Sequence, residues 1–145
     1  MADNFIYSAG LSNVGSYQVS GIPFITSSAV PVSSAAGNTW KVEFPYVTSE
    51  ITVCNHAANS HNLARISFSA RGVKDEVGNY YLLGASKDGV GSTTFRVKAT
   101  EIYCMSDDNH SDTVSICASL TTIPVERVNN ISPSGSNWSG SAGIG

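Results

Sequence analysis

Between Trp40 and Leu120 the chain alternates apolar and polar residues, in one short run after another. A period of two matches the pleat of a β-strand and not the 3.6-residue repeat of a helix. In "NTWKVEFPY", Trp40, Val42 and Phe44 alternate with Lys41 and Glu43, and in "EITVCN" Ile51 and Val53 share a face. "LARISFSAR" sets Ala64, Ile66, Phe68 and Ala70 against Arg65, Ser67, Ser69 and Arg71. "NYYLLG", "TTFRVKAT", "EIYCMS" and "TVSICASL" continue the series, with Phe95, Val97, Val114 and Ile116 on the inward side. Turn residues fill the gaps: "EVGN", "SKDGVGS" and "SDDNHSD" carry Gly, Asn and Asp, which accept positive φ or bond their own backbone. We read "SDDNHSD" as a hairpin turn. "IPVERVNN" suits one helical turn, with Pro124 at its first position. The expected fold is all-β: an antiparallel sandwich, jelly-roll or Ig-like.

Charge divides the chain differently. Asp3 is the one charged side chain before Lys41, and none follows Arg127. The expected organisation is an N-terminal arm and linker over 1–39, a sandwich over 40–128 and a flexible Gly/Ser-rich tail over 129–145. The opening stretch "GLSNVGSYQVSGIPFITSS" is uncharged and half apolar, which makes sense if something covers it. It fits an extra strand of its own domain or a strand added to a neighbouring subunit. We take Val14, Tyr17, Val19, Phe24 and, in the tail, Trp138 as expected subunit-contact residues, because apolar groups without charged neighbours gain most on leaving water.

The chemistry these residues exclude is broad. Charged residues make up 13% of the chain, the net charge is -3, and no Lys/Arg cluster forms a phosphate-binding patch, so nucleic acid is not an expected partner. No apolar run approaches the roughly 20 residues of a membrane span, and the N-terminus lacks the basic start and unbroken apolar run of a leader. Cys54, Cys104 and Cys117 show no CxxC spacing and an odd count, so they are expected to be reduced strand residues. "CNHAANSH" (Cys54, His56, His61) has no second ligand cluster for zinc, and "SDDNHSD" lacks the Gly and final Glu of a calcium loop. No GxSxG, paired-carboxylate or phosphate-loop pattern is present. No cofactor, metal or catalytic residue is expected, and the chain is not expected to be an enzyme.

Four phrases then point to a family. "SNVGSYQVSGIPFITSS", "WKVEFPYVTSEITVCNHA", "FRVKATEIYCMS" and "ASLTTIPVERV", in this order over about Leu11 to Val128, resemble small structural proteins of tailed bacteriophages, marine and cyanobacterial phages among them. The resemblance implies a virion subunit made in the host cytoplasm, of a kind that decorates or cements the capsid or forms part of the tail or head fibres. The expected role is a capsid decoration or cement subunit, homo-oligomeric, with other virion proteins, the major capsid protein first, as partners. A second function stays in view, a carbohydrate-binding or host-adhesion sandwich of a fibre or tail. The aromatic set Tyr17, Phe24, Trp40, Phe44, Tyr46, Tyr80, Tyr81 and Tyr103 would have to supply an exposed platform for that role.

Overall fold

The computed structural model describes residues 10, 14–18, 21–34, 38–74, 78–89 and 91–127. After a short helix, α1 (Gly15–Gln18), the alternating segments form eight strands: β1 (Ile22–Ala29), β2 (Trp40–Glu43), β3 (Tyr46–Asn55), β4 (Ala64–Ser67), β5 (Tyr81–Leu83), β6 (Ser92–Phe95), β7 (Glu101–Ser106) and β8 (Thr113–Pro124). They build two antiparallel four-stranded sheets, ordered β1-β8-β3-β6 (sheet A) and β2-β7-β4-β5 (sheet B). The pairing is nested: β1 pairs with β8, β2 with β7, β3 with β6 and β4 with β5. The chain is thus one long hairpin rolled into two sheets, which is the eight-stranded jelly roll and not the Ig-like order.

The core follows the alternation. Ile51, Val53, Ile66, Ile102, Cys104, Val114 and Ile116 are at most 2% exposed between the sheets. Phe68, Phe95 and Val97, expected inside, are only partly buried and pack against the core's margin. There Phe95 meets Phe68 and Tyr81 edge-on, at centroid distances of 5.7 and 5.5 Å. Each fully buried aliphatic side chain contributes about 1.5–3 kcal/mol.

Three expectations change. Residues 22–29, expected within the N-terminal arm, are a strand of the sandwich itself, in continuous register with β8 from Ile22↔Leu120 to Ala29↔Thr113. This strand half-buries one face against the core, so the division at residue 40 does not mark where the sandwich begins. "SDDNHSD" is not a hairpin turn: it carries the chain from β7 in sheet B across to β8 in sheet A. Arg65, Ser67 and Ser69 do point away from the core, but they are 5%, 2% and 4% exposed. The connection after β4 lies over them, and its Val73 forms a small second core with Tyr103 and Met105. The helical turn near Pro124 is a 3-10 turn over Val125–Arg127. The expected tail, 129–145, lies outside the described residues.

Candidate functional site

One end of the sandwich gathers most of the residues with reactive or ligating chemistry. The connections after β1, β3, β5 and β7 all emerge there, bringing His56, His61, Asp88, Asp107, Asp108, His110 and Asp112 to one rim. Each carboxylate is engaged locally. Asp107 pairs with the buried guanidinium of Arg65, which also lies 4.7 Å from the Tyr80 ring centroid. Asp112 accepts from the Asn62 side-chain amide, and Asp88 accepts from the Ser60 hydroxyl. Asp108 accepts from the Ser106 hydroxyl and the His110 backbone N–H, and its second oxygen is 3.2 Å from the His110 ring. Partial burial opposes its ionisation, but the bonds from His110 and Ser106 outweigh it and hold the carboxyl below its usual value. Among the described residues no three His, Cys, Asp or Glu side chains converge on a common point that could hold a metal ion.

Beneath this rim sits Asn55, the last residue of β3 and 1% exposed. Its amide nitrogen donates to the Asn62 and Gly84 carbonyls at 2.9 and 3.2 Å, and its amide oxygen accepts from Ala57 N–H at 3.2 Å. Its backbone N–H donates to the Gly91 carbonyl at 2.7 Å. One residue therefore ties the β3–β4 connection to the β5–β6 connection. Gly91 fits this knot only because it has no side chain: a Cβ would lie 2.5 Å from Ser86 Cα and 2.9 Å from the Asn55 carbonyl oxygen.

The nearest approach to catalytic chemistry is His56 Nε2, 2.8 Å from Ser115 Oγ on the outer face of sheet A. Among the described residues no carboxylate bonds the other ring nitrogen, so the group that would orient a general base is missing.

The outer face of sheet A otherwise carries mostly small side chains. β1 presents Pro23, Ile25, Ser27 and Ala29, β8 presents Ser115, Cys117 and Ser119, β3 presents Thr52 and Cys54, and β6 presents Ser92 and Thr94. Thr52 and Thr94 bond across the strands at 2.9 Å. The Glu50–Arg96 pair supplies the charge at one corner. Ile25 stands out from these at 75% exposure.

The expected subunit contacts divide. Val14, beside α1, is 66% exposed and open to a partner. Phe24 turns into its own core, edge-on to Phe44 at 5.2 Å. Tyr17 packs against Val47 and Ile123, with the Lys98 ammonium 4.9 Å from its ring centroid. Val19 and Trp138 lie outside the described residues. Of the aromatic set, Phe24, Trp40, Phe44 and Tyr103 belong to the core or its cover, whereas Tyr46 and Tyr81 are exposed. Tyr81 lies in an open groove of about 310 Å³ with Tyr80, Phe68, Asn79 and Ser67.

Sequence reasoning passed over Ile25, Arg65 and Asn55. The alternation of β1 carried the signal for Ile25, because placing Phe24 inside forces Ile25 out. Nothing local marks Arg65 or Asn55, whose burial depends on connections that are distant in sequence. Comparison with protein-family models and with curated proteins gives no match.

Proposed function

We propose that the chain is a non-enzymatic structural subunit of a phage virion, a capsid decoration or cement protein seated on the major capsid protein. The jelly-roll strand order carries this reading, in a chain whose phrases resemble phage structural proteins. Viral capsid domains, lectins and cupins share that architecture, and a fold by itself does not choose among them. The surface favours an assembly role. Sheet A offers a four-stranded, nearly uncharged outer face with Ile25 exposed on it, which suits a large contact with another protein surface. The carboxylates at the loop rim spend their bonds on neighbouring side chains and backbone groups.

Co-sedimentation with purified particles tests the proposal. A virion subunit bands with particles in a fixed ratio to the major shell protein, and absence from washed particles refutes it. The groove beside β5 favours one second reading, a glycan-binding module. It combines the half-exposed Tyr81 ring with the Asn79 side-chain amide, which has no partner among the described residues. Glycan-array binding that disappears in Tyr81→Ala would select it.

A further inference from the structure

The free edge of β1 can be assigned atom by atom. Val30 N–H donates to the Asp112 carbonyl at 3.0 Å, one step beyond the Ala29↔Thr113 pair. Bonded pairs in an antiparallel ladder recur at every second residue. Ile22, Phe24, Thr26 and Ser28 therefore direct their backbone groups to β8, while Pro23, Ile25, Ser27 and Ala29 direct theirs away from it. His56 N–H donating to the Thr113 carbonyl agrees, since it turns Thr113 towards β3 and not towards β1. Pro23, which has no N–H, falls on the side where the ladder needs none. The outward row thus offers three N–H donors, at Ile25, Ser27 and Ala29, and the carbonyls of residues 23, 25, 27 and 29. The Ala29 carbonyl also takes the Ser28 hydroxyl at 3.2 Å. Among the described residues no strand pairs with this row.

Sheet edges in stable monomers are usually short, charged or covered. The other three edges here fit that rule. β2 spans four residues with Lys41 and Glu43, β5 spans three, and β6 spans four and runs directly into Arg96. β1 spans eight residues and carries no charge. Pro23 blunts one end, and the rest is open.

We infer that β1 is a pairing edge for a second copy of this chain, with the two β1 strands antiparallel across a two-fold axis. The geometry is self-complementary: facing residues 23–29 with the same residues of the second copy gives all three donors of each copy a carbonyl. Neutrality favours this occupant in particular, because a charged residue near a two-fold axis would face its own copy. Pairing joins two copies of sheet A into one eight-stranded sheet. Ile25 of each copy is then drawn into the seam, and the nearly uncharged outer face doubles in extent. The inference is independent of the virion reading and is tested on isolated protein, so either can fail without the other.

The test combines sedimentation with amide exchange read by NMR. The expected result is a monomer–dimer equilibrium in which the Ile25, Ser27 and Ala29 amides gain protection as concentration rises. The Phe24, Thr26 and Ser28 amides are protected throughout. Ser27→Pro deletes a donor that the β8 ladder does not use, and Ile25→Lys charges the seam. Both are expected to leave a folded monomer at concentrations where the unsubstituted chain dimerises. Three results would overturn the inference: a monomer at all concentrations with the odd-numbered amides exchanging freely, a monomer with those amides protected at every dilution, which assigns the edge to another segment of the same chain, or a dimer that survives both substitutions.

Discussion

Replacing Asn55 with Ala tests whether one buried amide holds the loop rim together. The substitution deletes three hydrogen bonds at once. Two of the abandoned partners, Ala57 N–H and the Asn62 carbonyl, belong to residues 1% and 6% exposed. A buried polar group stripped of its partner costs about 1–3 kcal/mol. The third, the Gly84 carbonyl, belongs to a half-buried residue that water reaches more readily, so it adds less. The expected total is about 3–5 kcal/mol, a large part of the roughly 5–15 kcal/mol that a domain holds in all. Urea unfolding followed by circular dichroism reads it as a lower midpoint at unchanged slope. Asn55→Asp sharpens the test, because a carboxylate of similar shape cannot donate to either carbonyl and is charged in a dry site. Its folded-state pKa is then raised, so stability is present at low pH and lost as pH rises through that value. This variant is expected to be weaker than Asn55→Ala at neutral pH and to recover in acid. A cost below about 1 kcal/mol for Asn55→Ala would refute the reasoning, since buried orphans cannot be that cheap.

Four further outcomes follow from the same packing. Gly91→Ala forces the Ser86 backbone away and is expected to cost about 1–3 kcal/mol or more in urea unfolding. Burial pushes the Cys104 thiol up to about 12, and burial with a bond donated to Glu101 pushes the Tyr103 hydroxyl up to about 12. Both acids prefer to stay protonated in the fold, so stability is full below about pH 9 and falls as pH rises towards 12, with a shallower fall in Cys104→Ala when melting is scanned against pH. Alkylation without reductant, read by mass spectrometry, should label exposed Cys117 first and buried Cys104 only on unfolding, and all three thiols of the denatured chain should react. Removing residues 1–29 strips β8 of one of its two neighbours and should abolish the cooperative melt, whereas a truncation that spared β1 would not.

What could be read in advance was whatever depends on local alternation. The strands from Trp40 to Leu120 and their inward residues are visible because one face of each meets a core and the other meets water. β4 breaks that rule: Arg65 reads as a solvent-facing charge, yet the segment carrying Val73 covers it and Asp107, some forty residues on, neutralises it. The opening stretch was ambiguous for a related reason. A strand paired within its own sheet and a strand offered to a neighbour share one composition, and β1 does the first along one side while leaving the other side open. The loop rim was illegible because its bonds join residues such as Asn62 and Asp112, which come together only when both sheets have closed.

The nested pairing has a consequence for how the chain is made. Only β4 and β5 are close in sequence, and every other partner lies farther away, up to β1 and β8 at the two extremes. Synthesis proceeds at about 5–20 residues per second. From Ala29 to Pro124 is 124 − 29 = 95 residues, so β1 waits roughly 5–20 s for the strand that covers one of its edges. During that interval it is an uncharged β-forming segment with both edges unpaired, on every nascent chain of a polysome at once. Closure is then limited by long-range search, the slow regime for all-β topologies. Yield at high expression should therefore depend on the rate of elongation and on temperature more steeply than the stability of the finished fold does.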